Sequence, residues 1–276
     1  MLSPAIRPPE STRPPALPPR RQDLRRRPAP IPELHDQQAE AASVVVISLD
    51  PDSSREWTTR LRRVGLRRIF TCAWGDTVAY RTLLGSPRSL AVLDVPDHHP
   101  LSLTLDCVRA LQLIGPVAVM AAQDGHVHKL LNAGAIDALP RYAPASELSA
   151  RLKADLRWLS AHRAGRLNVS PLARPSRLLG KKIGSKGSQT FMLELLTACS
   201  GSGVTFCCHD LRLLLGTPES PMTPRALRGR MTRVHPLLAA LGHRLSLTHQ
   251  WGRDSFRVEP AARGVREHQD PRATRP

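Results

Sequence analysis

Residues 222–241 combine an apolar stripe with a cluster of arginines. If the segment is helical, Arg225, Arg228, Thr232 and Arg233 lie on or beside the face opposite the stripe. Arginine can bind guanine edges with two hydrogen bonds or clamp phosphates, and threonine can contact base edges or methyl groups. The pattern therefore predicts a helix that reads DNA. The stripe consists of Leu227, Met231, Val234, Leu238 and Leu241.

Acidic residues follow two apolar runs in the first half of the chain. The run at 90–93 ends at Asp94, and Asp50 and Asp52 follow the run at 44–47. Short apolar runs of this kind are typical of strands buried in a parallel sheet. Ligand and ion chemistry in such sheets takes place at the carboxyl ends of the strands. These aspartates are therefore the candidate polar groups of the first half.

The cysteines do not predict a metal centre. Cys207, Cys208 and His209 are adjacent, but neighbouring residues rarely converge on one ion, and the five cysteines include no CxxC pair. We expect reduced, mostly buried thiols in a cytosolic protein, with no metal and no cofactor. No hydrolase or transferase constellation is apparent, so we do not expect an enzyme.

The charge balance indicates a polyanionic partner. Lys and Arg number 40 against 23 Asp and Glu, which gives a net charge of +17. Nucleic acid is the usual partner of such a chain, although an arginine-rich solvated surface from a compositionally biased genome would give the same balance. The apolar runs are too short for a transmembrane helix, and the N-terminus has no signal-peptide pattern. We expect a cytoplasmic, nucleoid-associated protein with no membrane partner.

Five strands alternate with five helices between residues 43 and 160, which predicts a doubly wound α/β domain with a five-stranded parallel sheet. Predicted strands lie at 44–47, 69–72, 90–93, 116–122 and 138–139. Predicted helices lie at 54–65, 77–84, 101–113, 128–133 and 146–159.

The second half is predicted to be a smaller helical unit with a hairpin. Helical patterns at 189–199 and 209–215 precede the helix at 222–241, and alternating residues at 244–249 and 255–258 predict a β-hairpin. Pro236 predicts a kink in the long helix. This gives a domain at 188–259, after a linker at 161–187 in which short strands are weakly specified. Proline-rich and polar composition predicts disordered tails at 1–42 and 260–276.

Residues 44–159 resemble a response-regulator receiver domain. The stretches that carry the resemblance are Leu90-Ala-Val-Leu-Asp-Val95, Gly115-Pro-Val-Ala-Val-Met-Ala121, Leu131-Asn-Ala-Gly-Ala-Ile-Asp137 and Pro144-Ala-Ser-Glu-Leu148. In that family the aspartate at the end of strand three accepts a phosphoryl group, so the resemblance places Asp94 at the phosphoacceptor position. It also implies a homodimer formed through helix four, strand five and helix five.

The residues around Asp94 depart from the family pattern. The acidic pair that holds Mg²⁺ falls on Ser48 and Leu49, the switch hydroxyl falls on Ala121, and the family lysine falls on Arg141. Phosphoryl transfer needs the metal to neutralise developing charge, so we expect a receiver that works without phosphorylation. Asp94 would then be retained for structure, paired with Arg141 across the strand ends. The alternative is that Asp50 or Asp52, displaced along the loop, holds the metal in place of the family's acidic pair.

Residues 178–258 are similar to the winged-helix DNA-binding domain of OmpR/PhoB-type regulators. The residues that carry this are the arginine-rich helix and the hairpin tip Trp251-Gly252-Arg253, which would place Arg253 in a minor groove. The two halves also occur in that family's order. Abundant proline and arginine with little lysine is typical of a GC-rich bacterium such as an actinobacterium.

Together these observations predict an atypical response regulator of the OmpR/PhoB type that binds double-stranded DNA as a homodimer. Two alternatives stay open. One is an adaptor whose basic domain docks on RNA polymerase or another acidic partner, and the other is a genuine two-component regulator phosphorylated on Asp94. The strand-end pocket of the receiver-like domain is a candidate site for a small-molecule ligand.

Overall fold

The computed structural model describes residues 43–261, with gaps. The predicted tail at 1–42, most of the predicted linker and most of the predicted C-terminal tail lie outside the described residues. Within the described part, no helix has the length and apolar character needed to cross a membrane. The gaps are residues 51, 53, 87, 122–123, 164–186, 201–203 and 251–252.

The first half is a five-stranded parallel sheet with helices on both faces, as the alternation of elements predicts. The strand order is β2-β1-β3-β4-β5, which is the doubly wound, flavodoxin-like order. The strands are β1 (Val44–Ser48), β2 (Ile69–Ala73), β3 (Leu90–Asp94), β4 (Val117–Ala121) and β5 (Asp137–Pro140). The helices are α1 (Ser54–Arg63), α2 (Thr77–Gly85), α3 (Leu101–Gln112), α4 (Val127–Asn132) and α5 (Ala145–Arg163).

The apolar runs form central strands because both faces of the sheet are covered. All five residues of β1 and all five of β3 are buried. Alternate side chains point to opposite faces, so Val44 and Val46 pack with α1 and α5, while Val45 and Ile47 pack with α2, α3 and α4. A strand flanked by helices on both sides has no polar face, which explains the continuous β-branched sequence.

The second half has three helices and a three-stranded antiparallel sheet of order β6-β8-β7. The strand β6 was not predicted from the sequence; it is three residues long and pairs with β8 through Phe206 and Phe256. The long helix continues past Pro236, and the hairpin β7–β8 is present as predicted. The elements are α6 (Gly187–Ala198), β6 (Thr205–Cys207), α7 (Cys208–Leu215), α8 (Pro224–Ala240), β7 (His243–Gln250) and β8 (Arg253–Pro260).

One apolar core runs through both halves. The side chains on the α2–α3 side of the parallel sheet and those of α6, α7, α8 and β8 belong to one buried cluster. Tyr80 of α2 lies against Phe191 of α6, with ring centroids 5.5 Å apart, and Trp74 meets Tyr80 edge-on at 6.2 Å. Large aromatic side chains bury much apolar area, so they bind the two halves strongly.

Polar contacts fix the orientation of this junction. Arg81 donates two hydrogen bonds to the carboxylate of Glu194, at 2.6 and 2.8 Å. This bidentate geometry specifies both distance and angle. The buried indole nitrogen of Trp74 donates to the carbonyl oxygen of Leu213 at 2.9 Å. The first half therefore holds α6 and α7 in a defined position.

We expect Trp74→Phe to lower the free energy of unfolding by about 1–3 kcal/mol. The variant removes the indole donor to Leu213 and leaves space in the shared core. Urea denaturation of the full chain measures the change. Trp158→Phe is the matched control, because Trp158 is 52% exposed and its loss should change stability by less than about 0.5 kcal/mol. Equal losses in the two variants would contradict a structural role for the Trp74 contact.

Candidate functional site

Asp94 ends β3 at the carboxyl edge of the sheet and is fully buried. One carboxylate oxygen accepts a hydrogen bond from the Ser48 hydroxyl at 2.8 Å, and the other accepts from Nε of Arg141 at 2.9 Å. Ser48 ends the neighbouring strand β1, and Arg141 follows β5, so three strand ends converge on one carboxylate. The predicted pairing of Asp94 with Arg141 across the strand ends is therefore confirmed.

Arg141 is itself held on both sides. Its side chain is 13% exposed, and it forms a second ion pair with Asp97 at 3.6 Å. Burial alone lowers the pKa of the guanidinium, but the charge of Asp94 and its hydrogen bond outweigh burial, so the net shift of the pKa is upward. A buried charge stays ionised when a partner of opposite charge contacts it directly. The strand-end carboxylate thus carries a permanent cationic partner.

The residues around Asp94 do not fit a receiver's Mg²⁺ site. Asp50 turns its carboxylate into its own loop, where it accepts a hydrogen bond from the backbone nitrogen of Asp52 at 3.1 Å. The end of β4 offers the methyl group of Ala121 instead of a hydroxyl. In the described ranges, no three His, Cys, Asp or Glu side chains are grouped so as to hold a metal ion.

The basic helix α8 begins at a well-formed cap. The Thr223 hydroxyl accepts a hydrogen bond from the backbone nitrogen of Ala226 at 3.2 Å, and Pro224 occupies the first turn. Threonine at the cap followed by proline is a strong signal for the start of a helix. The threonine hydroxyl accepts from a backbone N–H of the first turn, and proline has no N–H that would need an acceptor. The turn before the helix is tied to α7, because the backbone nitrogen of Met222 donates to the carbonyl oxygen of Arg212 at 3.0 Å.

The helix separates an apolar face from a basic one. Leu227, Met231, Val234 and Leu238 are buried. No acidic residue occurs anywhere in the helix. The four residues predicted to contact DNA from this helix, Arg225, Arg228, Thr232 and Arg233, are all exposed.

Thr232 and Arg253 differ from the other predicted DNA-contacting residues in their local environment. The hydroxyl of Thr232 donates to the carbonyl oxygen of Arg228 at 3.1 Å, so its proton is used within the helix, and its methyl group and lone pairs remain for a partner. Arg253 begins β8, paired with Gln250 at the tip of the hairpin. The position of the Arg253 side chain lies outside what the structure describes.

Arg230 is a basic residue of α8 that the sequence analysis did not single out. Its side-chain nitrogen NH1 is buried without a hydrogen-bond partner. Burial, followed by repulsion from Arg233, lowers the pKa of the guanidinium. A buried donor without an acceptor is costly, and an anion placed between the two guanidiniums would satisfy it. Periodicity did not reveal Arg230, because it lies at the margin of the apolar stripe.

A cavity of about 230 Å³ lies beside the strand ends, between the β3–α3 loop, α3 and the start of α4. His99 and His126 line it, and each has one buried ring nitrogen without a hydrogen-bond partner. Nε2 of His99 lies 3.8 Å from the carboxylate of Glu219, which belongs to the turn between α7 and α8. Sequence reasoning placed a pocket at the strand ends but identified neither histidine, because no spacing rule joins them.

No protein-family model matches this chain, and no curated protein matches it. Solved structures are similar at low identity. The receiver domain of the Francisella response regulator 1452 is 20% identical over 43% of this chain and 98% of its own, with a TM-score of 0.31. A two-component response regulator from Clostridium difficile is 21% identical over 42% and 96%, with a TM-score of 0.31.

Response regulator DrrB, a Thermotoga maritima OmpR/PhoB homologue, is 18% identical over 77% of this chain and 97% of its own, with a TM-score of 0.29. At such identities and TM-scores, what the chain does has to be derived from its own side chains.

We expect Arg141→Leu to destabilise the protein by about 3–5 kcal/mol, because it leaves the carboxylate of Asp94 buried without its cation. The double variant Asp94→Asn with Arg141→Leu should recover part of this loss. Chemical denaturation measures both. Arg257→Leu serves as the control, since Arg257 pairs with Glu259 where both side chains are about half exposed, and such pairs contribute little. A cost for Arg141→Leu no greater than that of the control would rule out a stabilising role for the buried pair.

Proposed function

We propose that this chain is a DNA-binding transcription regulator of the response-regulator type, in which α8 enters the major groove. The observation that carries the proposal is the division of α8 into a buried apolar face and an exposed face with Arg225, Arg228 and Arg233. A recognition helix needs one face fixed on a protein core and the other free to reach base edges and phosphates. The proposal does not include catalysis.

Electrostatics supports the same surface. Arg230 and Arg233 repel one another, and burial adds to the cost of the Arg230 charge. A phosphate of the DNA backbone beside these side chains would offset the repulsion between them. The net charge of +17 would also attract DNA from a distance.

The order of elements in the second half supports a winged-helix assignment. Helix, strand, helix, helix and hairpin follow one another from α6 to β8, with β6 completing the small sheet. In this assignment α8 is the recognition helix and the β7–β8 hairpin is the wing. Arg253 begins β8 beside the tip, from which a wing could reach the minor groove.

We further propose that phosphorylation of Asp94 does not control the activity of this regulator. A phosphoryl group would have to displace Arg141 from a fully buried carboxylate. The positions where a receiver has its Mg²⁺-binding acidic pair are Ser48 and Leu49, and neither can hold the ion as a carboxylate would. Ala121 offers no hydroxyl to follow the phosphate. The pair of Asp94 and Arg141 therefore holds the strand ends in a single state.

A homodimer through α4, β5 and α5 is part of the proposal. Val127 and Leu131 of α4 are 36% and 43% exposed, and Tyr142, between β5 and α5, is 66% exposed. Exposed apolar side chains on these elements would be buried in such an interface. Two copies would present two recognition helices to a repeated DNA site, as direct or inverted repeats require.

We expect Arg225→Ala, Arg228→Ala and Arg233→Ala each to weaken binding to a target DNA by about 1–3 kcal/mol if the side chain contacts a base. Fluorescence anisotropy with a genomic fragment selected by the protein gives the affinities. Arg157→Ala removes the same charge from an exposed site on α5 and is the control. Unchanged affinity in all three variants would refute the recognition-helix assignment. Equal affinity for random and selected DNA with a steep salt dependence would favour an adaptor that docks on RNA polymerase or another acidic partner.

We expect acetyl phosphate with Mg²⁺ to leave Asp94 unmodified, because the carboxylate is buried against Arg141 and lacks a metal site. Intact-mass spectrometry detects a phosphoryl adduct directly. Asp94→Asn is the reference for modification elsewhere in the chain. A stoichiometric, Mg²⁺-dependent adduct that disappears in Asp94→Asn would establish a phosphorylated regulator instead.

A further inference from the structure

The cavity beside the strand ends has the size of a small ring. Its volume is about 230 Å³, and an apolar protein cavity of roughly 150 Å³ already holds benzene. Apolar side chains make up most of the wall, with Val95, Leu101 and Leu130 among them. The cavity therefore fits a molecule of one ring with a polar substituent.

The hydrogen bonds of His99 determine what its free nitrogen can do. The Thr104 hydroxyl donates its proton to the carbonyl oxygen of Pro100 at 3.1 Å, so it can only accept from Nδ1 of His99, which lies 3.2 Å away. Burial lowers the pKa of His99 more than Glu219 raises it, so the ring is neutral at neutral pH. A neutral ring with its proton on Nδ1 has a lone pair on Nε2. His99 therefore offers an acceptor, and its side chain is only 6% exposed.

The charged groups around His99 are acidic. The carboxylate of Glu219 lies 3.8 Å from Nε2 of His99, which is beyond direct hydrogen-bond distance. Asp97 also lines the cavity and accepts a hydrogen bond from the hydroxyl of Tyr142. Arg141, which contacts Asp97, is already bound to Asp94. An anionic ligand would meet repulsion here, whereas a hydrogen-bond donor would be stabilised.

His126 is a second polar residue in the wall of the cavity. Its Nδ1 is buried and has no hydrogen-bond partner. Two histidines with unsatisfied buried nitrogens in one small cavity are unusual, because buried polar atoms are nearly always paired. A bound molecule with a polar substituent would account for both.

We propose that this cavity binds an uncharged, ring-sized molecule with a hydroxyl or N–H donor directed at Nε2 of His99. The site is separate from the DNA-reading face of α8 and does not depend on it. Glu219 lies in the turn that leads from α7 to Thr223, the cap of α8. His99 therefore connects the wall of the cavity to the turn that precedes the basic helix.

Three probes of similar size test the ligand class on the full chain without DNA. Phenol has the donor, toluene lacks it, and benzoate carries a negative charge. We expect phenol to bind saturably by ligand-observed NMR, toluene to bind at least about fivefold more weakly, and benzoate not to saturate. Absence of saturable phenol binding, or benzoate binding as tight as that of phenol, would overturn the proposal.

Two variants and one control variant locate the site. His99→Leu should reduce phenol binding to the toluene level, whereas His128→Leu, which alters an exposed histidine of α4, should leave it unchanged. Ala121→Val narrows the cavity without touching either lining histidine and should weaken phenol and toluene alike. Wild-type phenol affinity in a folded His99→Leu protein, or in Ala121→Val if His99→Leu does not fold, would disprove the assignment. Neither result depends on DNA binding, so the two proposals can fail separately.

Discussion

The shared apolar core between the parallel sheet and the C-terminal helices is the contact on which the other features depend. Tyr80 and Phe191 lie in its centre, and Trp74 and Arg81 provide the directional contacts at its edge. Without α6 and α7, the α2–α3 side of the sheet would expose a large apolar surface to water. The basic helix packs on the same core, so its orientation is defined relative to the strand ends.

The carboxyl edge of the sheet contains two different environments side by side. At Asp94, a buried carboxylate is paired with Arg141, which also pairs with Asp97. At His99, the ring lies 3.8 Å from the carboxylate of Glu219, and the cavity that it lines contains buried histidine nitrogens without hydrogen-bond partners. In a flavodoxin-like fold the strand ends are the usual place for a ligand. Here the carboxylate at the end of β3 is bound by Ser48 and Arg141, and the ligand site that we propose lies in the adjacent cavity.

The sequence predicted the elements of the parallel sheet well, because the strands are short, mostly apolar runs that alternate with helical patterns. The pair of Asp94 and Arg141 was predicted from the resemblance to a receiver domain, which places the family's lysine on Arg141, across the strand ends from Asp94. Strand β6 was missed because three residues are too few for an alternating pattern. The junction between the halves and the cavity at His99 were not predictable, since periodicity identifies a buried face but not what covers it.

The turn before α8 determines how the helix would meet a partner. A side chain at Gly216 would come within 2.5 Å of the backbone nitrogen of Met222, so only glycine allows the turn to close this tightly. Hydrogen bonds in both directions between Arg212 and Met222 hold the closed turn. A helix fixed in this way loses little conformational entropy when it docks. Its association rate would then depend on diffusion and long-range attraction, with no slow rearrangement before contact.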